Sequence, residues 1–169
     1  MYLAQKTAIF TSKKGLIINQ MKIEDEIKVS KFSNEWHRCT VNILYTYNWL
    51  NNELEQRADK EGITLKQFNV LRILRGQYPK PATNNLIKSR MLSTTPDISR
   101  MIDRMVTKGL VSRCQSGGDK RAVDLIITDK GLKILENLEE PMLMTDFLPD
   151  RITETEAIQL STLLDKLRG

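Results

Sequence analysis

The chain has 169 residues, 40% of them hydrophobic, and a net charge of +5 at pH 7, which supports one globular core extended by a helical arm and hardly two domains. Two cysteines, Cys39 and Cys114, exclude a disulfide framework, no apolar stretch approaches the roughly 20 residues of a membrane span, and Lys13 and Lys14 divide the apolar pieces of the first twenty residues, so that no signal-peptide core is expected and the chain reads as soluble and cytoplasmic. Residues 65–125 hold twelve Lys or Arg against four Asp and no Glu, a net +8, while the rest of the chain is −3; such a one-signed block is either the exterior of an ordinary helical domain or a face for a polyanion.

Residues 7–19 contain two β-prone runs around Thr11-Ser12-Lys13-Lys14-Gly15, which read either as a small hairpin or as disordered chain. From Ser33, the expected N-cap, Trp36, Thr40, Ile43, Tyr47, Leu50 and Leu54 recur in steps of four and three, the pattern of a long helix with a heptad-like seam. That seam is either a dimer contact or a core-facing stripe within one chain. The helix is expected to stop near Gly62. Thr64 and Gln67 then form a capping box, Ile63 can pack on Phe68 as a hydrophobic staple, and Phe68, Leu71, Ile73 and Leu74 give the next helix a buried face, ended by Gly76 with Pro79 and Pro81.

Thr83 can cap a short helix through Met91, with Leu86 and Ile87 inward and Lys88 and Arg90 outward. After a tight turn, Thr95 is the expected N-cap of a second helix, with Pro96 at its first position and its end at Lys108 and Gly109. Ile98, Met101, Ile102 and Met105 form its buried stripe, which leaves Thr94, Thr95, Asp97, Ser99, Arg100, Asp103 and Arg104 outside or at the edges. Two helices so joined, with hydroxyls and Arg at the exposed start of the second, match what a helix needs to enter the DNA major groove. The period then becomes alternating: residues 110–115 and 122–127 read as two strands joined by Ser116-Gly117-Gly118-Asp119-Lys120-Arg121, a wing whose basic tip suits the minor groove.

Thr128 is expected to start a helix bearing Leu132, Ile134, Leu135 and Leu138 and interrupted at Pro141. Thr153 and Glu156 make a second capping box, followed at helical spacing by Ile158, Leu160, Leu163, Leu164 and Leu167. These helices and the long first one carry more apolar stripe than a small wing domain can bury, and interdigitation with a second copy would bury it.

From Ile63 to Gly131 the chain resembles the MarR-type winged-helix transcriptional regulators. The stretch 63–74, the run 102–111 that closes the second helix of the pair, Asp119-Lys120-Arg121 in the wing and Thr128-Asp129-Lys130-Gly131 carry the likeness together. The resemblance implies a mainly α fold, a winged helix-turn-helix with a helical dimerisation region: a dimerisation helix over 33–62, a DNA-binding region over 63–131 and C-terminal dimerisation helices over 132–169, while residues 1–32 lie outside it as an N-terminal extension of uncertain structure. It makes Thr94 to Arg104 the groove-facing helix, with Thr94, Thr95, Ser99 and Arg100 as readers, and Arg121 the wing residue of the minor groove. Lys88, Arg90 and Lys120 join as basic contacts, while Asp119 orients the wing. Arg104 is either a phosphate ligand or a partner of Asp103 or Asp119. The implied partners are double-stranded DNA, a second copy of the chain and a small-molecule effector.

No enzyme motif appears: there is a single His, no phosphate-cradling glycine loop and no nucleophile set beside a base, so neither cofactor nor metal is expected. His37 and Cys39, two apart on one helix, cannot converge on one metal. Cys39 is expected to be a buried structural thiol, the alternative being a redox sensor that needs access and a lowered pKa. Cys114 also reads as structural. Trp36, Tyr45, Tyr47 and Trp49 read as core, or else as the lining of an effector pocket. The whole reads as a dimeric, ligand-responsive repressor on a pseudo-palindromic operator, against an alternative winged-helix interaction or architectural module that does not read sequence.

Overall fold

The computed structural model describes residues 9–11, 17–19, 22–92, 97–115 and 123–169. Strands β1 (Ile9–Thr11) and β2 (Ile17–Asn19) pair antiparallel with Phe10 opposite Ile18, so the hairpin reading of this segment holds. A single helical turn, α1 (Ile23–Glu26), follows. The long helix α2 spans Glu35–Asp59. It starts later than expected because Asn34, not Ser33, supplies the cap: its Oδ1 accepts the His37 backbone N–H at 2.9 Å. Helices α3 (Leu65–Arg75), α4 (Asn84–Arg90) and α5 (Ile98–Thr107) lead into the antiparallel pair β3 (Val111–Gln115) and β4 (Val123–Ile127), and α6 (Asp129–Leu143) and α7 (Glu154–Arg168) complete a mainly α architecture.

The chain divides into two compact units, one of residues 51–143 and one of the preceding residues together with 144–169. The first holds a continuous core: Ala58 from the end of α2, Val70, Leu71 and Leu74 from α3, Ile87 from α4, Ile98, Ile102 and Met105 from α5, Leu125 and Ile127 from β4, and Leu135 and Leu138 from α6. The capping box at α3 forms as read, with Thr64 Oγ1 accepting from Gln67 N and Gln67 Oε1 from Thr64 N. This explains why Gln67 is buried at no cost in unmet hydrogen bonds. α6 is capped by Thr128, whose hydroxyl accepts from Gly131 N and donates to Gly109 O at 2.7 Å. Pro141 does not interrupt α6, which runs on to Leu143. Proline φ is compatible with a helix, and the Pro141 carbonyl gains a partner in Arg57 Nη1 at 2.7 Å.

In the other unit, contacts gather on one side of α2. Arg38 Nε meets Glu24 Oε1 at 2.7 Å, the Tyr45 hydroxyl donates to Glu26 Oε2 at 2.7 Å, and Trp49 lies 5.5 Å from the Phe147 ring with Arg151 over both rings. At about 3.6 residues per turn, Trp36, Thr40 and Tyr47 fall on the opposite side. Trp36 is 82% and Tyr47 60% exposed, so the seam is not a core stripe within one chain. Nor do the four aromatic residues share a pocket or a core, because Tyr45 and Trp49 face away from the other two. The second capping box forms at Thr153 and Glu156, yet α7 has no buried residue, with Ile158, Leu163 and Leu167 all exposed.

Candidate nucleic-acid interface

Burial fixes which side of α4 and α5 faces outward. Thr83 caps α4 through its Oγ1, which accepts from Leu86 N at 3.1 Å, and Ile87 is fully buried, so Lys88 and Arg90 of the last turn are exposed. On α5, Ile98, Ile102 and Met105 are buried and Met101 packs against the same core. Ser99, Arg100, Asp103 and Arg104 therefore line the free face. The helix begins at Ile98 rather than at Pro96, because Asp97 has φ −111° and ψ 41°, outside the helical region. Thr94, Thr95 and Pro96 lie outside the described residues, as do Asp119, Lys120 and Arg121.

The far end of α5 is closed by backbone chemistry. Gly109, at φ +70°, donates its N–H to Val106 O while Leu110 N–H reaches Met105 O, both at 2.9 Å, which turns the chain directly into β3. β3 and β4 pair from Val111 opposite Ile127 to Gln115 opposite Val123, and Ala82, just before α4, bonds both ways with Leu125 at 2.8 and 2.9 Å. The start of α4, the end of α5 and the root of the hairpin are thus one hydrogen-bonded frame.

Not every basic group of the +8 block is free. Arg113 on β3 pairs with Asp103 on α5, although the sequence reading offered Asp103 to Arg104. Neighbours on a helix diverge by about 100°, whereas an outward strand residue can reach across. Lys108 Nζ donates to Gly62 O at 2.7 Å, and Arg75 sits 3.8 Å from Glu139. Arg100 lies 3.2 Å from Asp97, with both side chains largely exposed. Among the described residues no ion pair engages Lys88, Arg90 or Arg104, and Asp119, the other partner offered to Arg104, lies outside them. The Asp97–Arg100 and Asp103–Arg113 pairs are contacts that the sequence reading did not assign.

The cysteines stand apart from this face. Cys39 is exposed, which overturns its reading as a buried thiol, since it sits on α2 outside any core; Cys114 is half-buried on β3. A groove of about 420 Å³ between α3 and α6, lined by Arg75, Asp129, Leu132, Lys133, Glu136 and Glu139, contains none of the expected DNA contacts.

Known proteins resemble this arrangement. A family model described as the MarR family matches residues 63–123. An uncharacterized HTH-type transcriptional regulator of Bacillus subtilis, YpoP, is 30% identical over 119 residues, 70% of this chain and 81% of that protein. The HTH-type transcriptional repressor MdtR of the same organism is 30% identical over 117 residues, 68% of this chain and 74% of its own. Among solved structures, Bordetella bronchiseptica BpsR, described with a mechanism for regulation of its DNA binding by 6-hydroxynicotinic acid, superposes with a TM-score of 0.66 at 18% identity, covering 78% of this chain and 99% of that one.

Proposed function

The chain belongs to the MarR family, and on that footing we propose that it is a sequence-specific DNA-binding transcriptional regulator that binds a pseudo-palindromic operator as a homodimer. The observation that carries this reading is α5: its apolar stripe is fully committed to the core, its free face offers Ser99, Arg100 and Arg104, and the hairpin β3–β4 is locked beside it. Hydroxyl and guanidinium groups at the exposed face of such a helix supply hydrogen bonds to base edges and phosphates. Arg121 adds affinity from the wing in the minor groove, with Lys120, Lys88 and Arg90 on the backbone.

The dimer rests on the uncovered apolar side of α2 and on α7, where Leu160, Leu163 and Leu167 are exposed. Soluble monomers rarely leave such contiguous apolar surface open, and a two-fold partner presenting the same surface closes it. Repression is supported by the name of MdtR, and control by a small effector by the description of BpsR. Selection of bound sites from random duplex tests the reading. It predicts one enriched pseudo-palindrome with half-sites about one helical turn apart. Recovery of unenriched sequence with undiminished affinity would favour a module that coats DNA without reading it.

A further inference from the structure

Asp97 occupies the N-cap position of α5, where an aspartate ordinarily accepts a hydrogen bond from a backbone N–H of the first turn. Here its side chain makes no capping bond. Instead the carboxylate lies 3.2 Å from Arg100 Nη1, one turn along the helix, and the two side chains remain 66% and 77% exposed. An exposed pair of this spacing adds little to stability, so the fold does not require it. A negative charge at the tip of a groove-entering helix also opposes phosphates. These considerations leave the residue a modest helix-dipole contribution to the fold and an electrostatic cost to indiscriminate DNA binding.

We propose that Asp97 is a specificity-determining residue, which holds the Arg100 guanidinium in the free protein and yields it to a G·C pair; this rests on the sequence-specific reading above. Guanine offers two acceptors, O6 and N7, that match the guanidinium fork, and the N4 amino group of cytosine offers the donor that a carboxylate accepts. On a G·C edge Arg100 and Asp97 are both satisfied. Against a phosphate only Arg100 is, and Asp97 is repelled. The pair therefore lowers affinity for non-cognate DNA more than for cognate DNA.

The test compares the full-length wild type with Asp97→Asn, Asp97→Ser and Arg100→Ala on the selected duplex and on a scrambled duplex of the same composition. Asp97→Asn is expected to weaken the selected duplex modestly, because its amide oxygen is a poorer acceptor for cytosine N4 than a carboxylate, and to tighten the scrambled one, so that discrimination falls by about tenfold. Its salt slope on scrambled DNA should steepen by up to about 0.9 per subunit. Asp97→Ser also removes the charge and should relax discrimination in the same way; since Asn and Ser both cap helices well, wild-type discrimination in both variants would make Asp97 a cap. Repeat selection should show Asp97→Asn and Arg100→Ala losing preference at the same base pair. Unchanged discrimination in Asp97→Asn, or a loss at different positions, would overturn the proposal alone. A wild-type protein that binds both duplexes equally would overturn the sequence-specific reading itself.

Discussion

Replacing Gly131 by Ala tests how closely α6 packs against the wing root. A Cβ at that position would stand 2.4 Å from the Leu110 carbonyl oxygen, 2.8 Å from Ile127 Cγ1 and 3.2 Å from Leu71 Cδ2. The closest atom is backbone at the turn into β3, so it cannot swing aside as a side chain does. Overpacking of this kind costs about 1–3 kcal/mol, here at the upper end, and the better helix propensity of Ala returns up to about 1 kcal/mol. The net loss is about 2 kcal/mol, or roughly 4–8 °C in Tm for a chain of this size. Thermal unfolding followed by circular dichroism at fixed protomer concentration reads it. Gly76→Ala is the control: its φ is −66° and its Cβ would meet only Ile73 O at 3.5 Å and Arg72 O at 3.6 Å, so it should leave Tm unchanged or raise it slightly. If Gly131→Ala unfolded at or above the wild-type temperature, the close approach of α6 to the hairpin would be wrong.

Salt dependence separates free from committed cations. Log affinity for the selected duplex should fall with log salt at a slope of about −5 to −7 for the dimer, and Arg121→Ala should make it shallower by up to about 2. Arg113→Ala, whose guanidinium is held by Asp103, should leave the slope alone, and a drop equal to that of Arg121→Ala would place Arg113 on a phosphate instead. Trp36→Glu, at the most exposed point of the α2 seam, should shift sedimentation from dimer to monomer, whereas an unchanged dimer would move the interface elsewhere. Cys39 is exposed, but on the described residues nothing besides Arg38 in sequence marks it for oxidation, so Cys39→Ser should bind the operator as wild type and mild peroxide should release neither protein; release of wild type alone would make Cys39 a sensor.

Local chemistry was legible in the sequence, and contacts between distant segments were not. Thr64 with Gln67 and Thr153 with Glu156 formed their capping boxes because both partners lie within one turn. The buried stripe of α5 was equally plain from its spacing, and with it the outward position of Ser99, Arg100 and Arg104. Pro141 misled because it falls two residues before the end of α6 at Leu143, where a proline disturbs little of the helix that follows it. The start of α5 misled because Thr95 and Pro96 are a good local signal, yet the dihedral angles of Asp97 place the first helical residue at Ile98. Asp103 found its partner ten residues on, across the turn into the hairpin, where no periodicity points. The seam of α2 was visible as a pattern, but only the exposure of Trp36 and Tyr47 set aside its reading as a core stripe.

Hydroxyl-radical footprinting of the full chain on its selected duplex tests the central claim most directly. The account predicts two sharp protected patches centred about one helical turn apart, one for each recognition helix, flanked by minor-groove protection from the wings. Uniform protection that spreads along the duplex as protein is added, with no fixed boundary, would contradict it.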